Sequence, residues 1–395
     1  MSLQPIEIAA GVVFGVEPRE PLPRLGPEET ALSRLEQAVL PGLLRPPCLV
    51  SFSGGRDSSA VLAVAASVAR REGLPLPVPA TNRFPAAPES DESAYQELVV
   101  RHLGLENWVR LEFTDELDCV GPVAAKVLRR HGVMWPFNAH FHEPILAEAK
   151  GGSLLTGAGG DEVFAPTTWA RTASLLSGRV RPEPRDALRL AFALSPSFVR
   201  ARVLRRYVPT EMVPWLREAA LRQVVRAWSE EAATEPVRWA KRFEWWRSLR
   251  YVRLGRRSLE LLGADHDVQV LHPFDDPGVS AAIARLRRDE RPADRTAATR
   301  DLFGDLLPDE LLARDTKASF DVPFWNRHSR ALVESWDGED VDTSLVDLEG
   351  LRSIWTAEEP NGRTFLLLQS AWLARDRRAS SAGGELEQTA SGRGE

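Results

Sequence analysis

Two short stretches of this sequence carry the residue types that polyphosphate chemistry needs. They are Ser53-Gly54-Gly55-Arg56-Asp57-Ser58-Ser59 and Thr156-Gly157-Ala158-Gly159-Gly160-Asp161-Glu162. In the first, Gly54 and Gly55 have no Cβ, so backbone N–H groups can come close to an anion. The hydroxyls of Ser53, Ser58 and Ser59 add donors. A helix starting near Ser58 would add unpaired amides and the positive end of its dipole. The Gly-Lys-Ser/Thr ending of a Walker A loop is missing, so the stretch offers no lysine to a γ-phosphate. It suits holding pyrophosphate while a bond breaks at the α-phosphorus. The second stretch makes another close backbone approach at Thr156 and Gly157. Asp57 and Asp161 then become candidates to bridge Mg²⁺, which prefers one or two carboxylates plus phosphate oxygens. Either stretch alone also describes a tight strand-to-helix connection with an N-cap. The pair together asks for more than structure.

The elements that would position these turns are legible as alternating strands and helices. CLVSFS (48–53) reads as an apolar strand and SSAVLAVAASVARR (58–71) as a helix. LPVPATN (76–82) is the next strand, and DESAYQELVVRHLG (91–104) is an amphipathic helix that ends in glycine, a common stop. NWVRLEF (107–113) is a strand, helical segments follow near 115–131 and 141–150, and SLLTG (153–157) is a strand running into the second glycine turn. This alternation predicts an α/β fold with a doubly wound parallel sheet. Ligands of such sheets sit at the carboxyl ends of the strands, where both turns fall.

Four regions are expected. Residues 1–44 form a short extension, 45–185 the α/β domain, and 186–378 a mainly helical portion that packs on it and closes the active site. The small, polar ASSAGGELEQTASGRGE (379–395) reads as a disordered tail. Strand signals nearly vanish after about 185. The tryptophans of the helical portion read as helix–helix packing.

Composition narrows the function. The chain has 395 residues, 43% apolar, with a net charge of −6. That balance argues against a protein whose main work is gripping nucleic acid. The two cysteines, Cys48 and Cys119, lie in apolar surroundings and read as buried small side chains; two thiols make neither a disulfide framework nor a four-ligand zinc site. With no leader pattern and no apolar run near the about 18 residues that span a bilayer, a soluble, cytoplasmic protein with no membrane partner is expected.

The motifs also carry a family resemblance. SGGRDSS resembles the pyrophosphate-binding SGGxDS signature of the N-type ATP pyrophosphatases. LLTGAGGDEVF is similar to the second segment of their asparagine synthetase-like branch. VQVLHPFDD (268–276) resembles its "EVRVPFLD" segment, and RDTKASF (314–320) its late lysine-bearing loop. The four occur in the family order across about residues 45–330. The resemblance implies an adenine nucleotide alpha hydrolase-like sheet and an ATP-dependent, AMP-forming amide synthetase. In such an enzyme a carboxylate is adenylated and an amine or ammonia displaces AMP. It further implies that Ser53, Gly54, Gly55, Asp57, Ser58 and Ser59 hold pyrophosphate. Thr156 and Gly157 would lie near the α-phosphate or ribose, and Asp57 and Asp161 would bind Mg²⁺. Lys317 would neutralise charge at the reacting centre, a role that a lysine in a polar turn is suited to.

The chain also departs from that pattern. Glutamine-dependent asparagine synthetases carry a cysteine directly after the initiator Met, in a glutaminase domain. Here Ser2 stands there, and no cysteine precedes Cys48. Nitrogen would come from free ammonia, a separate glutaminase or an amine substrate. Ala158 stands where asparagine synthetases have a carboxylate, and Gln269 replaces the glutamate of "EVR". Both changes point away from aspartate and call for another base. MWPFNAHFHEPIL (134–146) offers His140, His142 and Glu143, with Asn138 and Trp135 able to shape the acyl pocket. Three alternatives stand beside an asparagine-forming enzyme: a lactam- or macrolactam-forming synthetase, a nucleotide-binding regulator that has lost ligase chemistry, and a tRNA-modifying enzyme. The acidic charge balance counts against the last.

Overall fold

In the computed structural model, which describes residues 3–164, 168–286, 295–314 and 318–391, five short strands form one parallel sheet. They are β1 (Cys48–Ser51), β2 (Val78–Arg83), β3 (Val109–Glu112), β4 (Ser153–Leu155) and β5 (Gln269–Leu271), in the order β3-β2-β1-β4-β5. The doubly wound parallel sheet expected from the alternation is therefore present. Strand order reverses between β1 and β4, and such a switch point opens a crevice at the strand ends. Val50 of β1 pairs with Leu155 of β4, which brings the two glycine turns out of the sheet side by side.

Residues alternate between the two faces, as a pleated strand requires. Val50 and Leu155 face a core with the helices Ala31–Leu43 and Arg56–Glu72, whose residues from Ala60 to Ala66 are all buried. Leu49 and Leu154 face the other core, with Val127, Ile145, Leu146 and Leu262 from the helices Pro122–His131, Glu143–Glu148 and Arg250–Asp265. A separate cluster holds Trp215, Trp325, Trp336 and Trp355 together with Ile6, Ala9 and Ala10 of the first helix, Pro5–Ala10. The Trp215 indole N–H donates to the Ala9 carbonyl at 2.7 Å. The tryptophans of this cluster pack helices, as their spacing predicts, and the N-terminal segment is part of that core. Cys48 and Cys119 are buried free thiols; burial pushes Cys48 up to about 11.

Two expectations change. The sheet does not end before residue 185: β5 comes from within the helical portion, so VQVLHPFDD supplies an edge strand. Three residues are too few to show a period-two pattern. Of the expected tail at 379–395, residues 379–391 lie in the helix Phe365–Ser391 and 392–395 lie outside the described residues. That helix starts on the buried Phe365, Leu366, Leu367 and Leu368. Once packing has nucleated a helix, propagation costs less than nucleation. Among the described residues no helix is long and apolar enough to cross a membrane.

Candidate active site

The first turn leaves β1 at Ser51. Gly54 adopts φ +84°, and a Cβ there would come to 2.8 Å of the Gln96 side chain. Gln96 in turn donates to the Ser53 carbonyl at 3.0 Å. Gly55 caps the helix Arg56–Glu72, which begins two residues earlier than the sequence implied. Asp57 and Ser58 therefore sit in the first helical turn, where amides lack intrahelical partners. The Ser53 hydroxyl accepts from the Gly55 amide at 3.2 Å and lies 3.2 Å from the Ser58 hydroxyl, which also accepts from the Ser53 amide at 3.3 Å. Ser59 is a correction. It is wholly buried, its amide is spent on the Gly55 carbonyl at 3.0 Å, and it does not line the cavity beside the turn.

The second turn leaves β4 through Thr156 into the short helix Gly160–Phe164. Its glycines are needed because it rests directly on the first turn. A Cβ on Gly157 would lie 2.7 Å from the Ser58 amide nitrogen. One on Gly160 would overlap the Asp57 carboxyl group and lie 2.7 Å from the Asp57 Cβ. Gly159 takes φ +94°, with the Asp275 amide 3.2 Å from where its Cβ would be. Two backbone cradles, about 100 residues apart in sequence, thus share one surface. They open into a cavity of about 750 Å³ lined by Ser53, Gly55, Asp57, Ser58, Thr156, Gly157 and Asp161 among others.

At the carboxylates, one guanidinium spans both candidate metal ligands. Arg295 donates to Asp57 Oδ2 at 2.6 Å and also to Asp161 Oδ1. Deeper in, the buried Asp275 carboxylate accepts from Arg256 at 2.6 Å and from Arg247 at 3.2 Å. Arg314, itself buried, donates to the buried Glu92 at 2.6 Å and to the Gly54 carbonyl at 3.0 Å, and it stacks over Tyr95. The Ala318 amide donates to the same Glu92 carboxylate at 3.1 Å, and Ser319 to the Glu89 carbonyl at 3.1 Å. Lys317 itself lies outside the described residues, between these anchored flanks.

Beside the second turn the cavity wall also carries two histidines. His142 and His272 both line the cavity, and burial lowers each to about 4. A positive charge on one further disfavours a charge on the other. His272 Nδ1 shares a 2.7 Å hydrogen bond with the Thr156 hydroxyl, which also accepts from the Ala158 amide at 3.3 Å. Trp135, Pro136, Trp246, Tyr251, Val252 and Leu259 supply an aromatic and aliphatic wall. His140 is a second correction. Its ring nitrogens lie 3.0 and 3.3 Å from the Leu117 and Phe137 carbonyls, it is buried, and it is absent from the cavity wall. Asn138 and Glu143 do not line the cavity either; Glu143 pairs with Lys126 and His266. Gln269 holds its place in β5 through the Gly152 carbonyl and lies outside the wall, whereas Ala158 is part of it.

Sequence reasoning missed Arg295, His272, Arg314 and Arg256. His272 and Asp275 fall inside the recognised VQVLHPFDD segment and were open to discovery there. Arg295, in RPADRTAATR, carries no local signal.

The residues present fit a magnesium–nucleotide. Asp57 and Asp161 lie within the span of one guanidinium, and the glycine cradles are places that a Cβ would fill. Among the described residues no group of three or more His, Cys, Asp or Glu could hold a metal alone. A metal at this point would therefore draw on phosphate oxygens, which is the habit of Mg²⁺. A family profile described as asparagine synthase matches residues 32–374. No curated protein matches the chain.

Proposed function

The chain belongs to the asparagine synthase family of ATP-dependent carbon–nitrogen ligases, and from that premise we propose that it is an AMP-forming amide synthetase acting on a carboxylic acid that carries an apolar or aromatic group. The observation that carries this reading is the interlock of the two turns, with Gly157 against the Ser58 amide and Gly160 against Asp57. A triphosphate lying across that seam would meet the Ser53–Ser58 donors at its β- and γ-phosphates and the Thr156–Gly157 backbone near the α-phosphate. Bound Mg²⁺, held by Asp57 and Asp161, would offset phosphate charge.

The chemistry then proceeds in two steps. A carboxylate oxygen forms a bond to the α-phosphorus, and the bond to the bridging oxygen breaks. Pyrophosphate leaves with that electron pair into the first cradle. An amine nitrogen next attacks the acyl carbon, and AMP departs with the acyl C–O pair. The nitrogen gives up a proton, and we assign its acceptance to His142 or His272, which the charge of a nearby phosphate would make more basic. Lys317, in the loop whose flanks are tied to Glu92, would stabilise negative charge at the reacting centre.

The wall of Trp135, Trp246, Tyr251 and Leu259, with Ala158 in place of a carboxylate, favours an apolar acid over aspartate. If the amine sits on the same molecule, the product is a lactam. Otherwise the nitrogen comes from ammonia, a separate glutaminase or a second substrate.

Exchange of labelled pyrophosphate into ATP, screened over carboxylic acids, tests the reading. Aromatic or long-chain acids should support exchange and aspartate should not, and Asp57→Asn should abolish it. ATP binding without exchange for any acid would identify a nucleotide-binding regulator instead.

A further inference from the structure

We propose that Arg295 is a resident occupant of the two-carboxylate site. In the nucleotide-free protein its guanidinium holds Asp57 and Asp161 together; when a metal–nucleotide takes those carboxylates, the guanidinium moves onto the pyrophosphate oxygens. This inference rests on the reading of the cavity as a nucleotide site.

The geometry is specific. Asp57 belongs to the helix after β1, and Asp161 to the short helix after β4. Arg295 reaches both with its two terminal nitrogens, at 2.6 Å for Asp57 Oδ2 and in direct contact with Asp161 Oδ1. Two carboxylates converging on one point repel each other unless a cation lies between them. One guanidinium offsets one of the two charges; a divalent ion offsets both. The resident cation is therefore displaceable by the ion the site is suited to.

Arg295 has no evident structural duty that would explain its type. It lies in the helix Arg295–Phe303. The helix is held by other residues. Ala298, Thr299 and Phe303 are buried, and the Phe303 ring packs 6.4 Å from Phe164 and 6.2 Å from Phe274. Only the Arg295 side chain, about a third exposed at 35%, has to turn for the transfer.

A phosphate-directed cation is also what the first turn lacks. No lysine follows Gly54-Gly55, and Arg56 is engaged with the Arg314 carbonyl. Arginine is suited to the destination, because its planar fork pairs with phosphate oxygens in a bidentate manner. The same side chain thus competes with the metal before nucleotide binds and assists the leaving group afterwards.

The test uses Mn²⁺ as a paramagnetic probe, titrated into the full chain without nucleotide and followed by electron paramagnetic resonance. Arg295→Ala and Arg295→Gln should each tighten Mn²⁺ binding about tenfold relative to wild type. Arg295→Lys, a cation without the fork, should fall between. With Mn²⁺ saturating, the order reverses: Arg295→Gln should weaken ATP binding about tenfold by calorimetry. A shared melting temperature for wild type and Arg295→Gln shows that folding is not the cause. Mn²⁺ affinity unchanged within twofold in both neutral variants, or ATP binding unchanged, overturns the proposal. Neither measurement needs an acid substrate. Opposed shifts in Mn²⁺ and ATP affinity with no exchange for any acid would leave Arg295 in place and remove the amide synthetase reading.

Discussion

Two parts of the cavity wall are built from different materials. The part at Asp57, Asp161 and Arg295 is made mainly of backbone: two glycine turns, the start of a helix and carboxylates held beside a guanidinium. The part at His142 and His272 is made of side chains from remote segments under an aromatic wall, and burial there keeps both imidazoles neutral. The contrast shows how one cavity serves two kinds of chemistry. Polyphosphate needs many weak donors in a fixed arrangement, which main chain at a sheet switch point provides. Proton acceptance needs a base that can also carry the charge, so these imidazoles depend on a nearby phosphate charge to raise them.

The comparison breaks most severely if the backbone part tolerates side-chain bulk. Gly160→Ala places a methyl group in the Asp57 carboxyl position. Nucleotide affinity should fall at least about 100-fold by calorimetry, as expected when a preorganised contact set is displaced by steric overlap. Near-normal ATP binding in that variant would show that the two turns do not act as one site.

A smaller effect is expected at the histidines, and it should separate the two half-reactions. His272→Gln removes the titratable ring and keeps a polar side chain near Thr156. Pyrophosphate exchange should survive, while amide formation slows about 100-fold, the lower range for loss of a general base. Equal losses in both steps would mean that His272 orders the whole cavity and does not serve the amine step.

The last effect is on stability rather than on activity. An unfolded histidine titrates near 6.5, and His142 and His272 titrate near 4 in the folded chain. Their depressed values mean that the unfolded state gains protons first as the solution is acidified. Stability is thus complete above pH 6.5 and declines between about pH 6.5 and 4, by roughly 6 kcal/mol for the pair. Denaturant melts of His142→Phe across that window should show a shallower decline than wild type.

Much of the carboxylate part was legible because its chemistry is local. SGGRDSS and TGAGGDE announce tight turns through their glycines, and Asp57 and Asp161 follow at fixed offsets. Four strands were readable for the same reason. Ser59 was misassigned because a hydroxyl one residue past the useful position looks identical in sequence, whereas helical geometry turns it into the core. His140 and His142 were equally suspect on paper. Two residues apart at a 3₁₀ turn, they face different surroundings, and only one reaches the cavity. Arg295 lay beyond any local rule, because it meets its partners across 238 and 134 residues.

By itself the amino-acid sequence determined where the backbone would turn and which turns would favour an anion, since glycine content, helix starts and apolar periodicity act over a few residues. Only the tertiary structure decided that both turns face one cavity, that β5 completes the sheet, and that Arg295, His142 and His272 all line that cavity. Those facts depend on contacts between distant segments, and no local pattern of residues encodes them.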